Sequence, residues 1–262
     1  MRLMKFWIML SAMCIMAVNG CSIKENRSEC PCRLMLDMSR VHLGSGDSLD
    51  LMIMADSNRV YSARVDSASF REDFVIEVPR VSLRLVAWCG GEGMTGHDGL
   101  VIPLGRSCPE VYTHISDIDA DAEIVYDTLM MKKNHCVVDL NFKNGSGEGM
   151  KLKIRGNVCG YDRYGSPVEG EFAAVAGREG VEISALSRVV LPRQSGGGLV
   201  LDVEDRNGRL KSFPLSDYIE ATGYDWNAPD LRDLLITIDL VHTTVSLTVA
   251  GWDEEFFFDI VI

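Results

Sequence analysis

The sequence has too little positive charge and too few long apolar runs for several common classes of protein. It contains 26 Lys and Arg against 38 Asp and Glu, a formal net charge of −12 over 262 residues. This negative charge disfavours binding to nucleic acid, which is itself a polyanion. After the first twenty residues, no segment is apolar over the 18 or more positions that a membrane-spanning helix needs. Multi-pass membrane proteins, collagen and coiled coils are therefore excluded.

The signatures of common catalytic sites are also missing. No Gly-x-Ser-x-Gly or His-Glu-x-x-His occurs, and the glycines at 196–198 are not followed by the Gly-Lys-Ser/Thr of a phosphate-binding loop. The acidic segment 117–123 departs from a calcium-binding EF-hand loop, because Ala122 replaces the turn glycine and Thr128 the bidentate glutamate. The spacing of the remaining acids selects no carboxylate pair for glycoside hydrolysis. The sequence predicts a protein that is not an enzyme and needs no cofactor.

The cysteines leave several readings open. Cys14 and Cys21 lie in the N-terminal region, and six more belong to the folded body: Cys30, Cys32, Cys89, Cys108, Cys136 and Cys159. Disulfides and free buried thiols are both compatible with these positions, and the sequence does not select a pairing. The Cys30-Pro31-Cys32 segment lacks a second Cys or His pair at zinc spacing, so we expect no metal site.

Residues 1–20 have the features of a secretory signal peptide. Arg2 and Lys5 form a basic start, residues 6–18 are apolar apart from Ser11, and Asn19-Gly20 ends the segment. A buried N-terminal helix is the alternative.

The segment Val18-Asn19-Gly20-Cys21 resembles the lipobox of bacterial lipoproteins. Such a motif implies cleavage between Gly20 and Cys21 and attachment of lipid to the Cys21 thiol. Acyl chains such as palmitate anchor a protein through about 0.8 kcal/mol per buried methylene. We therefore expect residues 21–29 to form a lipidated tether to the membrane, with ordinary cleavage and an unmodified cysteine as the alternative.

The rest of the chain alternates between apolar and polar residues with a period of two, which predicts half-buried β-strands. The clearest segments are 49–53, 74–78, 81–88, 136–142, 150–155, 199–203, 235–240, 244–249 and 256–262. Residues 216–221 predict a helix of about two turns that begins at the capping residue Ser216.

Residues 144–149 interrupt this alternation with three glycines in six positions. Because such a segment does not continue a strand, it predicts a domain boundary. The fold class is then all-β, with an N-terminal β-sandwich over residues 30–145 and a C-terminal β-sandwich over residues 146–262. A long hairpin turn is the alternative reading of the glycines.

Aromatic residues in the second half suggest two kinds of surface. Phe256, Phe257 and Phe258 place apolar groups on both faces of the last strand, which is either buried in its own sheet or available to pair with another chain. Tyr224 and Trp226 lie in a predicted loop and are the candidate aromatics for a glycan or another ligand.

Several segments are together similar to one family. They are the lipobox at 18–21, the Cys30-Pro31-Cys32 opening, Val78-Pro79-Arg80 leading into 83–88, and the segments 111–114, 130–133, 154–158 and 245–252. These resemble the fimbrial anchor and fimbrillin-like lipoproteins of the Bacteroidales, the FimB/Mfa type. The resemblance implies two tandem transthyretin-like β-sandwich domains, exported as a lipoprotein of the cell outer membrane and its fimbriae.

The resemblance also implies a function. Fimbrial subunits of this kind join by β-strand addition, and stalk members lose an N-terminal segment to a protease that cuts after Arg or Lys, for which Arg27, Arg33 and Arg40 are candidates. The compact chain favours an anchor or minor (accessory) subunit that keeps its lipid. Its expected partners are fimbrial stalk or accessory subunits and, through the lipid, the membrane. A surface lipoprotein that binds glycan through a β-sandwich is the alternative.

Overall fold

The computed structural model describes residues 30–90, 99–143, 150–176, 186–205, 207–239, 242 and 244–259. The predicted signal peptide, Gly20, Cys21, the tether and the segment 144–149 lie outside the described residues. The strands of the first half are β1 (Cys32–Asp37), β2 (Ser48–Ala55), β3 (Asn58–Asp66), β4 (Asp73–Val78), β5 (Ser82–Cys89), β6 (Leu100–Val101), β7 (Tyr112–Asp119), β8 (Ile124–Thr128) and β9 (Lys132–Lys133).

The second half contains nine further strands and a short helix among the described residues. The strands are β10 (His135–Phe142), β11 (Lys151–Tyr161), β12 (Pro167–Ala176), β13 (Leu186–Pro192), β14 (Val200–Glu204), β15 (Leu210–Phe213), β16 (Leu234–Asp239), β17 (Thr244–Val249) and β18 (Glu255–Asp259). The helix α1 (Leu215–Ala221) is confirmed as two turns, but its N-cap is Pro214, so Ser216 lies inside the helix instead of capping it. None of the described helical residues forms a helix long and apolar enough to cross a membrane.

The first sandwich consists of a three-stranded and a five-stranded sheet. The strand order is β4-β1-β8 in the smaller sheet and β3-β2-β5-β7-β9 in the larger. Their inner faces share one apolar cluster, to which Leu34 and Leu36 of β1 and Leu49, Leu51 and Ile53 of β2 contribute fully or almost fully buried side chains. The period-two alternation places these residues inward, and the residues between them, some of which are apolar, face the other side of each sheet.

The second sandwich packs the sheet β13-β10-β16-β17-β18 against the sheet β12-β11-β14-β15. Strand β10 shows why the sequence folds this way, because Cys136, Val138, Leu140 and Phe142 are all buried while the residues between them are partly exposed. The predicted all-β class, with two sandwiches in tandem, is confirmed.

The boundary between the sandwiches lies before β10, not at residue 145/146. Strand β10 pairs antiparallel with β13 and parallel with β16, and it therefore lies inside a sheet of the second sandwich. The predicted boundary at 144–149 was wrong because strand pairing at long range, not the local glycine content, decides which sandwich a strand joins. A single residue, Asn134, separates β9 of the first sandwich from β10 of the second.

The two sandwiches are joined by an apolar junction. Met52, Val86 and Trp88 point outward from the larger sheet of the first sandwich and belong to the same buried cluster as Tyr161 and Phe172 of the second. Because this apolar contact is continuous with the core of the second sandwich, the two units pack as one body.

Polar contacts complete the junction around Asn134. The Tyr161 hydroxyl donates to the Asn134 carbonyl oxygen and accepts from the Arg193 backbone N–H at 2.7 Å. The Arg193 Nε donates to Asn134 Oδ1 at 2.8 Å. The backbone groups of the connection are thereby satisfied although they are buried.

The short strand β6 ties the first half of the chain to the second sandwich. Leu100 and Val101 pair with Tyr161 and Gly160 of β11. A Cβ atom on Gly160 would lie 1.9 Å from the Leu100 carbonyl oxygen. Only glycine allows the two backbones to approach this closely.

Candidate functional site

Strand β1, the first described strand, occupies the centre of the smaller sheet. It pairs antiparallel with β4 on one side and parallel with β8 on the other. Cys32, Leu34 and Leu36 point into the core and are at most 2% exposed. Because β1 lies between β4 and β8, its removal would open an apolar groove between these two strands. Each leucine that β1 buries contributes roughly 1.5–3 kcal/mol to the stability of the fold.

The candidate cleavage residues fall in different surroundings. Arg33 lies within β1, where its backbone is in register with Glu77 on one side and Ile124 on the other. Arg40 is exposed and lies after the end of β1. Arg27 lies outside the described residues.

At the other end of the chain, β18 is an edge strand. Among the described residues it pairs only with β17. Phe256 and Phe258 are partly buried, and the Phe258 ring packs on Tyr218 with 5.2 Å between ring centroids. Phe257 points to the opposite face and is 68% exposed. The predicted choice for this strand is thus resolved in favour of the edge, with one large aromatic left in solvent.

Tyr224 and Trp226 do not form the exposed aromatic surface that their loop position predicts. Each is only 7% exposed, and their rings pack edge to face with centroids 4.9 Å apart. The Tyr224 hydroxyl donates to the Arg232 carbonyl oxygen at 2.7 Å. Both side chains belong to the core of the second sandwich, so the exposure that a ligand-binding role at these positions requires is not found.

His114, Ser116 and Asp127 lie together in the first sandwich, but their arrangement differs from that of a catalytic triad. The His114 Nδ1 lies 3.1 Å from the Met130 backbone nitrogen and 3.3 Å from the Met130 carbonyl oxygen, so the side-chain contacts of the ring are made by the other nitrogen, Nε2. That Nε2 faces both Ser116 Oγ, at 3.2 Å, and Asp127 Oδ2, at 3.5 Å. A general base would need an unprotonated nitrogen toward the serine and the carboxylate on the other nitrogen.

The electrostatics of this cluster fit a structural role. Burial by itself raises the pKa of Asp127, but hydrogen bonds from His114 and Ser116 outweigh it and hold the pKa below the usual value. The charged carboxylate is thereby hydrogen-bonded between the two sheets of the sandwich.

The six cysteines of the folded body are all free thiols. Cys108 and Cys136 are almost completely buried, and burial raises the pKa of Cys136 to about 12. A thiol with so high a pKa is a poor nucleophile and a poor metal ligand at neutral pH. In the described part of the chain, no three His, Cys, Asp or Glu residues come together to hold a metal ion.

No protein-family model matches the sequence. Likewise, no curated protein matches it.

Solved structures, by contrast, resemble the chain over almost its whole length. A candidate polysaccharide-binding protein of Bacteroides thetaiotaomicron matches 88% of this chain and 98% of its own, with a TM-score of 0.62 and 11% identity. A candidate adhesin from Bacteroides ovatus matches 87% and 95%, with a TM-score of 0.59 and 12% identity. The fimbrial anchor protein Mfa2 of Porphyromonas gingivalis matches 85% and 98%, with a TM-score of 0.56 and 12% identity. The resemblance to Bacteroidales fimbrial proteins is therefore confirmed at the level of the fold, and the chain shares the tandem β-sandwich architecture of these proteins.

Proposed function

We propose that the protein is a fimbrial anchor or minor subunit, attached to the outer membrane through a lipid on Cys21 and joined to other fimbrial subunits by β-strand addition. The observation that carries this proposal is the edge position of β18, which pairs only with β17 among the described residues, together with its exposed Phe257. Strand addition needs unpaired main-chain groups and a side chain that a partner can cover, and it needs no catalytic residue. The fold shared with a fimbrial anchor protein supports the same role.

The position of β1 favours an anchor over a stalk subunit. A stalk subunit that accepts a partner's strand in place of β1 has to lose β1 first. Here β1 fills the centre of its sheet, so a chain that keeps β1 has no groove between β4 and β8. The edge of β18 then remains available for a partner strand.

A photo-crosslinking experiment tests the β18 part of this proposal. We would place the photoreactive amino acid p-benzoylphenylalanine at position 257 and, as a control, at position 235 in β16 of the same sheet. Phe257 and Leu235 are both exposed, at 68% and 42%, but β16 is paired with a strand on each side, so it offers no edge to a partner. In cells that assemble fimbriae, we expect position 257 to crosslink to a fimbrial subunit that mass spectrometry identifies, and position 235 not to do so. Absence of any fimbrial protein among the adducts of position 257 would contradict strand addition at β18.

The lipid is tested separately. We expect the N-terminal peptide of the protein extracted from membranes to carry acyl chains on Cys21. A chain that begins after Arg33 or Arg40 without lipid would instead identify a trimmed subunit. An unmodified N-terminus near Cys21 would remove the lipid anchor from the proposal.

A further inference from the structure

A cleft of about 470 Å³ lies where the β11–β12 turn of the second sandwich meets the exposed end of the outer face of the first sandwich. Its floor is the outer face of the sheet β3-β2-β5-β7-β9. On this face, Val86 and Trp88 are buried by the second sandwich, whereas Ser82 and Arg84, further back along β5, line the open cleft. Pockets at domain junctions are common ligand sites.

The floor combines apolar and charged side chains in register. Met54, Arg84 and Asp117 form one row across β2, β5 and β7, and Ser82 pairs with Asp119 in the next row. Asp56 lies two residues after Met54, in the turn that follows β2, and its backbone adopts a φ of 51°. Asp56 and Ser57 form the two-residue turn between the paired strands β2 and β3, and Asp56 lines the cleft.

Tyr164 forms the wall of the cleft and comes from the second sandwich. It lies in the turn between β11 and β12, where its backbone N–H donates to Asp162 Oδ1 at 2.8 Å and Gly165 N–H donates to the Asp162 carbonyl oxygen at 3.0 Å. The turn packs directly over Ile115 of the first sandwich, because a Cβ on Gly165 would lie 3.1 Å from Ile115 Cδ1. The backbone of Tyr164 is thereby fixed, and its side chain is partly buried against the core and lines the cleft.

The polar side chains of the cleft include hydrogen-bond acceptors and donors that have no partner among the described residues. Within the described chain, the carboxylates of Asp56 and Asp119 accept no hydrogen bond and form no ion pair. Arg84 binds Asp117 through Nε and Nη2, at 2.7 and 3.2 Å, which leaves the donors of Nη1 free. A ligand for this cleft should therefore both donate and accept hydrogen bonds and present an apolar face to a tyrosine ring.

We propose that this cleft binds an uncharged sugar unit, with the C–H face of the pyranose ring against Tyr164. The sugar hydroxyls donate to Asp56 and Asp119 and accept from Arg84. Three carboxylates against one guanidinium disfavour anionic ligands, and the described residues provide no metal-binding cluster. A cationic side chain would use the carboxylates but would leave the Nη1 donors of Arg84 without an acceptor. This inference does not depend on the fimbrial role proposed above.

Saturation-transfer NMR on the purified protein tests the proposal. The probes are glucose, galactose, mannose and N-acetylglucosamine, with glucuronic acid as the anionic comparison. We expect transfer to at least one neutral sugar, with a Kd on the order of 1 mM. Tyr164→Ala should weaken this binding about tenfold and Asp119→Asn about fivefold, because the first removes the stacking face and the second weakens an acceptor.

Tyr126→Ala is the matched control, since Tyr126 is an exposed tyrosine on the other sheet of the first sandwich. It should leave sugar binding unchanged, and thermal unfolding should show that all three variants are folded. The proposal is overturned if none of the neutral sugars receives saturation, if Tyr164→Ala and Asp119→Asn both bind like the unchanged protein, or if glucuronic acid binds more tightly than every neutral sugar.

Discussion

Trp88 of the first sandwich and Tyr161 of the second pack edge to face, with their ring centroids 6.3 Å apart and their planes at 61°. Trp88 is 5% exposed and Tyr161 is 2% exposed, so the contact lies in the interior of the molecule. The Tyr161 hydroxyl is held at the same time by Asn134 and Arg193. One aromatic pair thus joins the apolar and the polar parts of the junction between the sandwiches.

Trp88→Ala should destabilise both sandwiches together. Loss of a buried tryptophan costs about 3–5 kcal/mol, because a cavity forms where the side chain was. We expect a single urea transition, shifted to lower denaturant, when β-structure is followed by circular dichroism. Trp252→Ala, which removes a partly buried tryptophan of the second sandwich, should cost less. Two separate transitions in the unchanged protein would contradict the junction as a cooperative unit.

Gly160→Ala should loosen the attachment of β6. The new methyl group would meet the Leu100 carbonyl oxygen, so either β6 or β11 has to move. We expect a loss of more than about 2 kcal/mol in the free energy of unfolding. Gly197→Ala is the control, because the nearest atom to its new methyl group would be 3.8 Å away. It should change stability by less than about 0.5 kcal/mol. Equal effects of the two substitutions would argue against the tight backbone contact.

His135 should make the stability of the protein depend on pH. It is 1% exposed, its Nδ1 lies 3.0 Å from both the backbone nitrogen and the carbonyl oxygen of Val111, and burial lowers its pKa below the usual value of about 6.5. The folded state therefore favours the neutral ring. Its contribution to stability is complete above about pH 6.5 and is lost as the pH falls toward the lowered pKa of the folded state.

Urea unfolding at pH 7.5 and 5.5 measures this effect. The unchanged protein should lose stability over this interval, and His135→Gln should lose less because its side chain does not titrate. His42→Gln, at an exposed position, should behave like the unchanged protein. A loss of the same size in His135→Gln and in the unchanged protein would assign the pH dependence to other groups.

Limited digestion with trypsin should cut after Arg40 before it cuts after Arg33. The backbone of Arg33 is paired on both sides within β1, whereas Arg40 lies in an exposed segment without strand pairing. Proteases need a locally unfolded backbone, which the central strand does not offer. Mass spectrometry of early digests should therefore show the Arg40 product first. Initial cleavage at Arg33 would mean that β1 opens more easily than its central position implies.

The strands could be predicted from the sequence because the alternation of apolar and polar residues lies within each strand. In β10, alternation alone identifies Cys136, Val138, Leu140 and Phe142 as the buried face, and the structure confirms it. The partners of β10 were not predictable, since its parallel neighbour β16 begins almost a hundred residues later in the chain. The misplaced domain boundary has the same origin.

The exposure of the aromatic side chains could not be predicted from the sequence either. Tyr224 and Trp226 stand in a segment with loop character, yet they are buried because they pack on each other and on the core around them. Tyr164, in a turn of similar composition, remains at the surface and lines a cleft. Local composition does not separate these cases, because burial depends on which other segment covers the turn.

The parallel pairing of β10 with β16 has a consequence for the order in which the chain folds. The described strands of the first sandwich end at Lys133, but β10 has no parallel partner until residues 234–238 are present. In a chain exported N-terminus first, as proposed above, β10 emerges almost a hundred residues before that partner. Until then, part of the sheet that contains β10 stays open, with unpaired main-chain groups on one side of the strand. The second sandwich is therefore the half of the molecule that most needs a chaperone during biogenesis.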